Sequence, residues 1–108
     1  MATLTPAMLL CLTEMREAED AENYEDAEIV CEGIRCWLGD CQVSYSTVQG
    51  LLRLVLVSDT SDSGVHRYTI NDTGRGVLLR PELAAEVERV LAAGGAFSIT
   101  ATGHLEAI

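Results

Sequence analysis

A capped amphipathic helix followed by a hairpin pattern constrains the fold of this chain most. Ser44 can cap a helix over YSTVQGLLRLVL, whose apolar residues at helical spacing are Val48, Leu51, Leu52 and Val55. Two strand-prone runs then flank the polar segment TSDSG, which predicts a β-hairpin over VSDTSDSGVHRYTIN. The sequence therefore predicts a helix and a two-stranded unit joined by a short connection.

Further helices are predicted on both sides of this unit. Thr5 and Pro6 are typical of a helix start, and a first helix is expected over residues 7 to about 19. A second helix is expected to end at Gly39, with an inward stripe made of Ala27, Val30, Cys31, Ile34 and Leu38, and with Trp37 packed in the core. Asp72 or Thr73 can cap a short helix, Pro81 can begin another, and AFSITATGHLEAI alternates like a terminal β-hairpin. The length of 108 residues fits a single domain.

Two segments resemble the winged helix-turn-helix superfamily. QVSYSTVQGLLRLVLVSD resembles its turn and recognition helix, and RYTINDTGRGVLLRPE is similar to the second wing strand and following helix of bacterial regulators of the multiple-antibiotic-resistance type. The resemblance covers about residues 27–91. It implies an α+β, mainly α fold: a winged helix-turn-helix with an extra N-terminal helix and a C-terminal β-hairpin.

The resemblance also implies sites for DNA. In DNA-binding members the recognition helix enters the major groove by its first residues, while the wing and flanking basic side chains hold phosphates. The base-reading positions carried over to this chain are Ser44, Tyr45, Ser46 and Gln49, with Arg53 further along. The phosphate partners are Arg67 and Arg75.

The distribution of charge favours a different partner. The net charge is -10, the chain has no lysine, and residues 1–32 hold nine acidic residues against one arginine. Residues 33–80 hold five arginines against four aspartates, whereas a DNA-binding protein needs a basic face to release counterions. An acidic segment instead suits a basic protein surface, and its candidate contact residues are Glu19, Asp20, Glu22, Glu25, Asp26 and Glu28.

These observations lead to one expectation with two alternatives. We expect a non-catalytic interaction module that regulates or inhibits a nucleic-acid-handling protein, and in that role it would resemble small DNA-mimicking inhibitors such as some anti-CRISPR proteins. One alternative is a dimeric DNA-binding transcriptional regulator. The other is that the acidic segment is only a solvated surface that keeps the protein soluble. A homodimer is expected, with the amphipathic first helix as its seam.

No cofactor, metal or catalytic group is predicted. The cysteines Cys11, Cys31, Cys36 and Cys41 form no C-x-x-C pair, so they are expected to be small buried hydrophobic residues rather than zinc ligands or disulfides. The DTSDSG segment has the spacing of a calcium loop, but Ile70 stands where the bidentate glutamate is needed. The candidate bases, His66 and His104, are expected on the surface. Without an export signal or an apolar span, we expect a cytoplasmic protein that does not bind membranes.

Overall fold

The computed structural model of the chain describes residues 4–61 and 64–108, and its secondary structure mixes helices and strands. The helices are α1 (Pro6–Asp20), α2 (Tyr45–Arg53), α3 (Asp72–Leu79) and α4 (Leu83–Ala92). The strands are β1 (Glu28–Glu32), β2 (Arg35–Leu38), β3 (Cys41–Val43), β4 (Val57–Asp59), β5 (His66–Ile70), β6 (Phe97–Ile99) and β7 (Leu105–Ala107). Within the described ranges, none of the helices combines the length and apolar character needed to cross a membrane.

Two helices begin where the sequence predicts. The hydroxyl of Thr5 accepts a hydrogen bond from the backbone N–H of Met8 at 3.1 Å, and Pro6 opens α1. The hydroxyl of Ser44 accepts from the N–H of Thr47 at 3.2 Å and starts α2. Each cap satisfies a backbone donor that lacks a partner within its helix. The helix α2 is shorter than expected and ends at Arg53.

The predicted second helix is wrong, because its residues form the β1–β2 hairpin. Burial alternates with the period of a strand: Ile29 and Cys31 face inward on β1, and Cys36 and Leu38 face inward on β2. Glu32 pairs with Arg35 across a two-residue turn that opens with a glycine of φ +61° at position 33. That turn suits a tight hairpin and ends any helical path.

The winged helix-turn-helix prediction is also wrong. The described strands β1 to β5 form one antiparallel sheet in the order β3-β2-β1-β5-β4. The β4–β5 hairpin exists as predicted, but β5 pairs with β1 through Ile29 and Tyr68, so the hairpin is part of the sheet instead of a projecting wing. The fold is therefore mixed α+β rather than mainly α, and the helix that would precede a recognition helix is replaced by strands. The tip residues 62 and 63 lie outside the described residues.

One face of the sheet carries the core. Helices α1 and α2 pack over that face, and their buried side chains, such as Leu12, Met15 and Leu51, join Ile29 and Ile70 of the sheet. The helix α3 packs against α1, and the predicted C-terminal hairpin β6–β7 packs on α3 and α4. The opposite sheet face carries half-buried residues that include Val30 and Trp37, so the expectation that Trp37 lies in the core is wrong.

The cysteines depart from the expectation of four reduced, buried thiols. Cys31 and Cys36 are both buried, but they form a disulfide between paired strands, with their Cα atoms 4.1 Å apart. Cys11 is a free, buried thiol, as predicted, whereas Cys41 is free and exposed. Burial, followed by the nearby charge of Glu14, raises the pKa of Cys11.

Candidate interaction surfaces

The end of α1 and its connection to β1 carry a group of exposed carboxylates, which we call the acidic surface: Asp20, Glu22, Glu25 and Asp26. Its compact path places Glu22 in the left-handed region, at φ +59°, where a residue other than glycine is uncommon. Asn23 donates a hydrogen bond from Nδ2 to Asp26 at 2.6 Å. The arginine nearest to these carboxylates is Arg16, whose Nε lies 3.9 Å from a carboxylate oxygen of Asp20. Most of the charge of this surface therefore faces solvent.

Glu19 and Glu28, also predicted as partner contacts, are engaged within the protein instead. Arg75 donates to both oxygens of Glu19, from Nε at 2.9 Å and from Nη2 at 2.8 Å. Arg67 donates from Nη1 to Glu28 at 3.2 Å. The hydrogen bond to Glu19 is the main reason that the pKa of Arg75 is raised above its ordinary value. Both glutamates are half-buried and connect the acidic end of α1 and β1 to the rest of the fold.

The same ion pairs occupy the two arginines that the resemblance assigned to phosphates. Arg75 also donates to Asp72 at 3.1 Å, so it contacts two carboxylates. A phosphate would have to displace Glu28 from Arg67 or Glu19 from Arg75. Both predicted phosphate partners are therefore already engaged by carboxylates of the protein itself.

The predicted recognition residues do lie together on α2. Tyr45, Ser46, Gln49 and Arg53 line one open depression of about 380 Å³, and we call these residues the α2 face. All four are exposed. Arg53 forms no ion pair with the residues that the structure describes. Ser44, whose hydroxyl caps the helix, does not line this depression.

Near the β4–β5 hairpin, Asp59, Ser61 and His66 are neighbours. Ser61 donates to Asp59 from both its hydroxyl and its backbone N–H, and these hydrogen bonds lower the pKa of Asp59. His66 Nδ1 lies 3.4 Å from the Ser61 hydroxyl. In a nucleophilic triad the carboxylate orients the histidine, but here it holds the serine. Both His66 and the other candidate base, His104, are exposed, as expected.

Metal ligands are not assembled in the described parts of the chain, where no group of three or more His, Cys, Asp or Glu side chains could hold an ion. The apolar stripe of α1 that was expected to form a homodimer seam lies in the core of the protein itself, through Met8, Leu12 and Met15. The homodimer remains a prediction without that seam.

Sequence reasoning overlooked a groove between α1 and β3. Leu10 is 60% exposed and lines it together with the exposed edge residues Cys41 and Gln42. One signal was present in the sequence: Leu10 lies off the stripe formed by Met8, Leu12 and Met15, so a regular helix must turn it away from the core. The strand edge could not be found in the same way, because β3 has only three residues, too few to show the alternation that identifies a strand.

Comparison of the chain with protein-family models, with curated proteins and with solved structures found no match in any of the three.

Proposed function

We propose that this protein is a non-catalytic interaction module that uses its acidic surface to bind a basic surface of a protein or nucleoprotein, and so regulates or inhibits a nucleic-acid-handling protein. One observation carries the proposal. Arg67 and Arg75 are paired with Glu28 and Glu19, and Arg16 lies beside Asp20, while Glu22 and Glu25 remain exposed. The side chains left free to meet a partner on this side are therefore predominantly negative.

Exposed carboxylates of this kind act mainly by steering and orienting a partner. Opposite charges across an interface raise the association rate and exclude partners of the same charge. A basic nucleic-acid channel is the kind of protein surface that such a charge pattern complements. The cytoplasmic location expected from the sequence belongs to this proposal.

The proposal is tested by matched charge removal. Immobilised wild-type protein is compared with Glu22→Gln/Glu25→Gln and with a control that removes the same charge elsewhere, Glu82→Gln/Glu106→Gln. Proteins captured from the native host are quantified by mass spectrometry, with and without excess duplex DNA. We expect a partner that binds the wild type and the control, binds the first variant at least tenfold less, and is displaced by DNA. Equal capture by both variants would contradict the proposal.

The α2 face supports direct binding of nucleic acid as a second candidate. One depression is lined by Tyr45, Ser46, Gln49 and Arg53. An aromatic ring can stack on a base, and an arginine beside it can contact the phosphate backbone. Under this alternative, the wild-type protein retards duplex DNA in a gel at low salt, and Tyr45→Ala/Arg53→Ala abolishes the shift. Under the first proposal neither protein retards DNA.

A further inference from the structure

A groove separates α1 from the free edge of the sheet. Its cavity of about 320 Å³ is lined by Ala7, Leu10, Cys11 and Glu14 of α1 and by residues 41–44 and Thr47 on the other wall. The helix contributes apolar side chains to its floor, and Leu10 stays 60% exposed. This apolar side chain lies beside the free edge of β3, and a free strand edge next to an apolar cavity is an arrangement to which an extended peptide can add as a strand.

The strand β3 is at the end of the sheet and has backbone groups that point toward this groove. Leu38 and Cys41 pair across a two-residue turn that opens with Gly39 at φ +59°. Residues that flank such a turn are hydrogen-bonded to each other, so the next pair, Trp37 and Gln42, is not. The N–H and C=O of Gln42 therefore point away from β2, toward the open edge.

The charges around the groove indicate what would fill it. Glu14 lines the groove, Glu17 lies one helical turn further along α1, and both are exposed. Among the residues that the structure describes, those lining the groove include no arginine or histidine. Its occupant must supply a backbone for Gln42, an apolar side chain for the cavity at Leu10, and positive charge for Glu14.

We propose that this groove binds an extended, lysine- or arginine-containing segment of the protein partner, which adds as a strand to β3 and places an apolar side chain beside Leu10. The inference rests on the proposed function and deepens it, because it specifies a second site, apart from the acidic surface, at which the basic partner binds. Main-chain hydrogen bonds would supply affinity, and the cavity would select the side chain.

The test uses a fluorescein-labelled nonapeptide of alternating lysine and valine and the full chain. Fluorescence anisotropy measures its affinity for the wild type, for Gln42→Pro, which removes the outward N–H, and for the matched Gln42→Ala, which keeps it. We expect Gln42→Pro to weaken binding at least fivefold and Gln42→Ala less than twofold. Leu10→Ser should weaken binding about fivefold, whereas Leu79→Ser, at a residue 51% exposed on α3, should change it less than twofold.

Two measurements keep the test decisive if Gln42→Pro perturbs the fold. A peptide of the same sequence with alternate backbone nitrogens methylated keeps its charge but cannot pair as a strand, and it should bind wild-type protein at least fivefold more weakly. The bound unmodified peptide should also slow alkylation of the exposed Cys41 thiol by at least threefold, as followed by mass spectrometry. Equal binding of both peptides, or unchanged alkylation, would overturn the groove inference alone. The proposed function is judged separately by Glu22→Gln/Glu25→Gln.

Discussion

The acidic surface and the α2 face are held in place by different interactions. The acidic surface is a loop between Glu19 and Glu28, each tied by an arginine to a distant part of the chain, and it leads into a hairpin closed by a disulfide. The α2 face belongs to a capped helix whose opposite side packs in the core through Val48 and Leu51. The difference teaches that the loop depends on two side-chain ion pairs, whereas the helix is held by its own cap and by packing in the core.

Reduction of the Cys31–Cys36 disulfide has the largest expected effect on this contrast. The bridge joins residues five apart in sequence, and closing a loop of this length corresponds to about 2 kcal/mol of the free energy of unfolding. We expect reduction to lower the melting temperature by roughly 10 °C. Hydrogen exchange should then speed up first in β1 and β2, before α2. Faster exchange of α2 before the hairpin would contradict the comparison.

Removing the cap of α2 tests the stability of the α2 face, as reduction of the disulfide tests that of the hairpin next to the acidic surface. Ser44→Ala leaves the N–H of Thr47 without its side-chain acceptor and should lower the free energy of unfolding by about 1 kcal/mol. Chemical denaturation measures this loss, and Ser46→Ala, next along the chain, serves as the control with less than about 0.5 kcal/mol.

A smaller effect separates the two kinds of glutamate on the acidic side. Glu19→Ala removes a two-bonded contact with Arg75, and because the side chains are partly exposed we expect a loss of about 0.5 to 1 kcal/mol in the free energy of unfolding. Glu22→Ala should cost less than about 0.5 kcal/mol but weaken partner binding. If Glu22→Ala lowers the free energy of unfolding and Glu19→Ala does not, then the assignment of Glu19 to stability and of Glu22 to partner binding is wrong.

The smallest effect is a pKa change at Asp59 on the β4–β5 hairpin. Hydrogen bonds from Ser61 hold the pKa of Asp59 below its ordinary value. A lowered carboxylate pKa stabilises the fold above the unfolded pKa, and this contribution disappears as the pH falls through the folded pKa. Ser61→Ala should raise the pKa of Asp59, measured by NMR titration of its carboxyl carbon. An unchanged pKa would show that the serine is not its main partner.

Local signals were readable from the sequence, and long-range pairings were not. Thr5 and Ser44 marked two helix starts because a cap depends on residues only three apart. The prediction for residues 28–38 is wrong because Cys31 and Leu38 suit a helical stripe as well as the inward positions of two strands. Gly33, which forms the turn between those strands, is the residue that distinguishes the two structures. Arg75 contacts Glu19 from 56 residues away, and no periodicity indicates such a contact.

The open face of the sheet has a practical consequence for studying this protein. The chain contains one tryptophan, and that residue, Trp37, lies half-buried on the uncovered face with Gln42 as its neighbour on the edge strand. Its indole emission is therefore an intrinsic optical reporter of the sheet face opposite the helices. A blue shift on titration with an unlabelled ligand would signal that water has left this side of the sheet, with no dye attached.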